Sequence, residues 1–321
     1  MRKLVLAGGG GFLGQILADH FVCRGYEVVV LSRDPRAKRV RDPSMPGRWV
    51  EWDGVHVEEW AEELENAHAL INLAGRTVNC RYHQRNRREM MDSRIQSTRV
   101  LGKAVRACRT PPEVWIQSST ATIYRHRYDE AAPHDEATGE TGWHPDAKDR
   151  FSIELATAWE QAFADELTPA TRRVVMRTAM VFGSRPGGVY EVLRRLVRCG
   201  LGGTMGDGRQ VVSWIHADDF TAVMEWMISR QGCSGIYNVC APHPLPNHEV
   251  MRILRKTCGA PWGLGVPHPY WMLEMGAWLI RTETELVIKS RRVVPGRLLA
   301  EGFRFRFEDF ESMAQDLVRS D

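Results

Sequence analysis

At 321 residues, 43% hydrophobic and 26% charged, the chain has the composition of a water-soluble globular protein with room for one large domain or two interleaved ones. A formal net charge of +3 gives no case for nucleic acid or an anionic membrane as partner, and no apolar run approaches the length of a membrane span. The 7 cysteines are scattered, odd in number and free of C-x-x-C, which excludes a disulfide framework and favours a reducing, cytoplasmic setting.

In chain order, Leu4–Ala7 reads as a short strand. Leu13, Ile16, Leu17 and Phe21 follow at helical spacing, closed by Gly25. Glu27–Leu31 is the second strand. Further strands are predicted at Arg48–Trp52, Ala69–Leu73, Val114–Ser118 and Val174–Val181, with helices near 58–67, 86–108 and 153–166. Strands that are apolar throughout and alternate with helices predict an α/β fold, a doubly wound parallel sheet covered on both faces. Beyond residue 185 the order loosens into glycine-rich loops at Arg185–Gly188 and Gly200–Gly208, and Val211–Ile215 and Gly235–Val239 are expected to return to the sheet. From Pro242 the chain is rich in Pro, Trp and Met, with a helix at Trp271–Ile280 and a terminal segment from Phe303 to Val318. We expect a first domain over 1–185 whose sheet is completed by 209–241. A smaller C-terminal α+β domain would combine 186–208 with 242–321, with Trp262, Trp271 and Trp278 in its core or pocket wall.

The stretch between the first strand and first helix, AGGGGFLG, places Gly8, Gly11 and Gly14 at G-x-x-G-x-x-G spacing. Gly8 permits a tight turn, Gly11 lets backbone approach a pyrophosphate, and Gly14 allows close helix packing. The helix N-terminus offers free N–H groups to phosphate oxygens. An NAD site carries Asp or Glu at the end of the second strand to accept from ribose hydroxyls. Here that place reads Leu31, Ser32, Arg33, and Asp34 before Pro35 reads as a turn residue. A guanidinium grips a 2′-phosphate bidentately, so the expected cofactor is NADP(H). Arg36, Lys38, Arg39 and Arg41 add positive potential nearby.

GGGGFLG, NLAG (Asn72–Gly75), QSSTATIY (Gln117–Tyr124) and GDGRQVVSWIHADD (Gly206–Asp219) together resemble the extended short-chain dehydrogenase/reductases. MDSRIQSTR (Met91–Arg99), GLGGTMGDGRQ (Gly200–Gln210) and SRRVVPGRLLAEGFRFRFED (Ser290–Asp309) resemble the branch named for nucleoside-diphosphate-sugar epimerases, also described as cell-division-inhibitor-like. The resemblance covers essentially the whole chain and implies a Rossmann domain with a substrate domain after it. It implies that Gly8, Gly11, Phe12 and Leu13 face the pyrophosphate, that Ser32 and Arg33 hold the 2′-phosphate, and that Asp53 touches adenine. Leu73, Ala74 and Gly75 would line the adenosine side, Glu89 and Arg94 would reach the cofactor from its flank, and Ser118 and Met180 would complete the cofactor contacts. Thr120 stands at the Ser/Thr position of the superfamily's Ser/Thr, Tyr, Lys set, as the residue that orients a substrate oxygen.

The Tyr-x-x-x-Lys pair itself is absent. In DRFSIELATAWEQ, Phe151 or Ser152 takes the Tyr place and Leu155 or Ala156 the Lys place. Substitutes for an acid–base group would come from Tyr124, Tyr128, Lys148, His126, His134 or His144. The arginine that clamps a nucleotide diphosphate two residues after the Gln of G-D-G-x-Q is replaced by Val212, leaving Arg177, Arg185, Arg209 or Arg297 as anion contacts. His243 and His248 lack the spacing of zinc ligands, so no metal is expected, and Ser119 has no nucleophile elbow around it. The leading expectation is an NADP(H)-dependent oxidoreductase acting on an unknown small carbonyl or alcohol. A non-catalytic NADPH sensor or scaffold is the alternative, and a sugar-nucleotide epimerase the third. Homodimerisation is left open.

Overall fold

A computed structural model describes residues 2–36, 44–127, 132–143, 149–279 and 283–320. Seven parallel strands form the central sheet: β1 (Lys3–Ala7), β2 (Glu27–Ser32), β3 (Arg48–Glu51), β4 (Ala69–Asn72), β5 (Val114–Thr120), β6 (Arg172–Thr178) and, after three short strands, β10 (Gly235–Val239). Their order is β10-β6-β5-β4-β1-β2-β3, so the winding direction reverses between β1 and β4. A crevice opens at such a switch point, beyond the carboxyl ends of the strands, and ligands of open α/β sheets bind there.

Side chains alternate between two buried faces. Leu4, Leu6, Val28, Val30, Ile71, Ile116 and Val174 pack under helices α1 (Phe12–Cys23) and α5 (Ala217–Ser229). Val5, Ala7, Val29, Leu31, Leu70 and Trp115 pack under α2 (Gln84–Ala107) and α3 (Arg150–Ala164). Double coverage is why these strands read as unbroken apolar runs in the sequence. The remaining helices are α4 (Val189–Arg198), α6 (Asn247–Cys258), α7 (Tyr270–Leu279), α8 (Glu285–Ile288), α9 (Gly296–Ala300) and α10 (Phe310–Arg319).

Several expectations are corrected. The helix near 58–67 is a 3₁₀ segment, Glu59–Leu64. The strand expected over Val174–Val181 breaks at Ala179, whose N–H reaches across to the Val239 carbonyl at 3.1 Å. The chain then leaves the sheet as β7 (Met180–Phe182), which pairs with β9 (Trp214–His216). Residues 211–216 likewise do not rejoin the sheet: β8 (Val211–Val212) pairs antiparallel with β11 (Leu245–Pro246), and of 209–241 only β10 completes it. Trp262, Trp271 and Trp278 are exposed rather than in a core; the fully buried tryptophans are Trp60, Trp115 and Trp214. Leu298, Phe303 and Phe305 join the same apolar cluster as β1, so the C-terminal residues finish the first core. Among the described residues no helix is long and apolar enough to cross a membrane.

Candidate active site

The turn after β1 is shaped by three glycines under different constraints. Gly8 has φ +72°, and a Cβ there would lie 2.6 Å from the Cα of Ala74. Its N–H donates to the Leu31 carbonyl at 3.0 Å and ties the turn to β2. A Cβ on Gly14 would lie 2.1 Å from the Gly9 carbonyl oxygen, so this glycine lets α1 sit against the turn itself rather than against the sheet. Gly11 faces open space: a Cβ would meet nothing within 4 Å. It is the N-cap of α1, and no side chain caps the helix. Open volume at an uncapped helix N-terminus is the shape and charge that receive a phosphate. Phe12 and Leu13 occupy the first helical positions, and the Phe12 ring packs where Gly188 leaves room, 2.6 Å from the place of a Cβ.

At the end of β2, buried Ser32 accepts the Asp34 amide at 3.4 Å, which holds Asp34 in the turn. Exposed Arg33 lines a cavity of about 720 Å³ with Trp52, Asp53 and Trp60. Asp53 Oδ1 accepts the amides of Val55 and His56 at 2.7 and 2.8 Å, and Oδ2 lies 2.5 Å from His56 Nδ1. These bonds, the His56 amide first, hold its carboxyl down at about 2. Of the expected basic cluster, Lys38, Arg39 and Arg41 lie outside the described residues.

After β4 the chain bends because buried Asn72 binds three ways. Its Nδ2 donates to Gln117 Oε1 at 3.0 Å and Thr98 Oγ1 at 3.3 Å, while its Oδ1 accepts the Ala74 amide at 3.0 Å. Ala74 is thereby laid against Gly8. Arg94 on α2 is buried beneath Gly75, donating to the carbonyls of Arg76 and Met90 at 3.1 Å and lying 4.9 Å over the Trp159 ring. Burial lowers its pKa to about 10. Glu89, about one turn earlier, sits in a surface ion cluster with Arg85, at 2.8 Å, and Arg76; Arg85 foremost holds its pKa down.

Ser118 and Thr120 close β5. Ser118 is buried in register with Met176, and Thr120 is half-buried. Thr120 Oγ1 accepts the Thr122 amide and donates to Thr122 Oγ1, both at 3.1 Å, so a substrate oxygen has to compete with Thr122 for that proton. Met180 opens β7, its amide on the Ser213 carbonyl at 3.3 Å. On α3, Phe151, Ser152, Leu155 and Ala156 are all buried; Phe151 and Leu155 join an apolar cluster with Met90. The helix presents the positions of the missing pair inward, but with no group there that titrates.

The proposed substitutes are engaged elsewhere. The Tyr124 hydroxyl donates to Asn238 Oδ1 at 3.0 Å and accepts from Arg177 at 3.0 Å. His134 stacks on Tyr124 at 5.2 Å, and His126 Nδ1 accepts the Ser290 amide at 3.0 Å. Tyr128, His144 and Lys148 lie outside the described residues. Three of the four arginines considered as anion contacts are also engaged: Arg177 forks onto Glu160 at 2.8 and 2.7 Å, Arg185 pairs with Asp19, and Arg297 binds Tyr237 and Glu301. Val212 is buried in its ladder opposite Leu245.

The sequence reading missed a buried ionic cluster beside Thr120. Lys289 and Asp149, both wholly buried, pair at 2.7 Å, and Lys289 Nζ also donates to the Thr122 carbonyl at 2.6 Å. Arg291 Nε donates to Thr122 Oγ1 at 3.1 Å. Glu285 is buried in the same neighbourhood and lines a cleft of about 670 Å³ with Tyr82 and Phe151. The only sequence signal was the cation-rich motif that begins at Ser290, which carries no spacing rule of its own.

Sheet order, the glycine turn at the switch point and the uncapped helix behind it define a doubly wound, dinucleotide-binding type of protein, the short-chain dehydrogenase/reductase class. The chain belongs to the NAD dependent epimerase/dehydratase family, whose model matches residues 4–240; a domain of unknown function, DUF1731, matches 268–317. It is 27% identical over 318 residues to the epimerase family protein YfhF of Bacillus subtilis, covering 98% of each chain. It is 31% identical over 327 residues to the epimerase family protein SDR39U1 of Mus musculus, covering 99% of this chain and 100% of that one. The crystal structure of human SDR39U1 with NADPH superposes with a TM-score of 0.83 at 26% identity, over the whole of both chains.

Proposed function

We propose that this protein binds NADPH and uses it to reduce a small carbonyl compound, or runs the reverse oxidation of the alcohol. The observation that carries the reading is the open space at Gly11 above an uncapped helix, with Ser32 and Arg33 at the adjoining strand end and Asp34 held in the turn beyond them. Gly8, Gly11, Phe12 and Leu13 would hold the pyrophosphate, Ser32 and Arg33 the 2′-phosphate, and Asp53 the adenine side. Leu73, Ala74 and Gly75 would cover the adenosine, Ser118 and Met180 would flank the nicotinamide end, and Glu89 and Arg94 would support the site from α2. The human relative crystallised with NADPH supports the phosphorylated coenzyme. Bound there, the coenzyme supplies a hydride. Thr120 orients the substrate oxygen once it is released from Thr122.

A sugar-nucleotide epimerase is the weaker reading, because Val212 offers no charge and Arg177, Arg185 and Arg297 already have partners. The test is absorbance of the NADPH complex against a panel of aldehydes, ketones and quinones. Turnover of at least one member is expected. A coenzyme complex inert to the whole panel would leave a sensor, not a reductase.

A further inference from the structure

Glu285 opens the short helix α8 and is 5% exposed, yet its Oε1 has no hydrogen-bond partner among the described residues. A buried carboxylate oxygen left unpaired is strongly unfavourable, so its persistence at the wall of a cleft points to a ligand that completes it. Tyr82 and Phe151 line the same cleft as this carboxyl. Phe151 or Ser152 stands at the place of the missing tyrosine. A carboxyl from the C-terminal segment and a phenol from the loop before α2 thus share one cleft with α3 at that point of the helix. We propose that Glu285 is the acid–base residue of this site, supplied by the C-terminal segment in place of the absent tyrosine.

The proposal rests on the reductase reading above. In the reducing direction the carbonyl carbon gains the coenzyme's hydride, the C=O π pair moves onto oxygen, and that oxygen takes the Glu285 proton. Glu285 is left as carboxylate and recovers a proton from water in the cleft, so each alcohol formed consumes one NADPH and one proton. Burial raises the Glu285 pKa; Arg291 and Lys289 oppose this, while Asp149 adds to it. The same segment holds Thr122 through Lys289 and Arg291, and Thr122 holds Thr120. One stretch of chain therefore positions both oxygens of the reaction.

Glu285→Gln keeps the shape and removes the titrating group. With the carbonyl that wild type reduces fastest, we expect kcat to fall by about 100-fold or more, the pH profile to lose one limb, and the NADPH Kd to stay unchanged. In protein labelled with carbon-13 at the glutamate carboxyl, the resonance missing from the variant should titrate above the ordinary glutamate range. If wild type reduces nothing in the panel, the reductase reading fails and this proposal with it. If wild type turns over but the variant stays within about twofold, loses NADPH affinity along with turnover, or the resonance titrates in the ordinary range, the reductase reading stands and the Glu285 assignment is overturned.

Discussion

Lys289 keeps its ammonium in a place with no exposed surface, held by Asp149 and the Thr122 carbonyl. Burial first, then the nearby Arg291 charge, lowers its pKa from 10.5 to about 8 against the opposing pull of Asp149. Between those values the unfolded chain carries a proton that the folded chain has released, so folding stability rises with pH across that window. The gain is at most ~1.4 kcal/mol per pH unit for one group. Urea unfolding of wild type and Lys289→Met from pH 7 to 10.5 isolates it. The wild type should gain on the variant between about pH 8 and 10.5, and a difference flat with pH would contradict the assignment. Residue-level roles were the least legible in the sequence. Tyr124, considered as a stand-in acid, is fixed by Arg177 and Asn238, and both partners are strand residues of β6 and β10 that only the assembled sheet brings to it.

At the scale of elements, the first strand, turn and helix make separable predictions at Gly11 and Gly14. Gly11→Ser adds a side chain to open space, so thermal stability should hold while the occupied phosphate position costs NADPH affinity about tenfold or more. Gly14→Ala forces a Cβ to 2.1 Å from the Gly9 carbonyl and should lower both stability and affinity. Melting curves paired with NADPH titration separate the two, and a Gly11→Ser protein that binds normally would refute the cradle. The strand and helix of this unit were legible, because the apolar run and the helical spacing are local in sequence, whereas the packing of Gly14 on the turn was not. Nor was the break at Ala179: the sequence of Val174–Val181 carries no turn residue, and what divides it is the pairing of β7 with β9, more than thirty residues away.

Across the whole molecule, doubly wound architecture followed from the alternation of apolar strands and helices, whereas the C-terminal third could be placed only in outline. Its Leu298, Phe303 and Phe305 complete the first core, and its Lys289 and Arg291 reach the turn after β5. Neither contact has a periodic or spacing signal, since each depends on pairing residues more than a hundred positions apart. The exposed Trp262, Trp271 and Trp278 show the converse limit: an apolar segment reads as core whether or not anything covers it. The account as a whole stands on a turn that cradles a diphosphate and a guanidinium that selects the extra phosphate. Titrating NADPH and NADH into wild type and Arg33→Asp tests that most directly. We expect wild type to favour NADPH by about tenfold or more, and Arg33→Asp to lose or reverse that preference; equal affinities in wild type, or uptake of neither coenzyme, would contradict it.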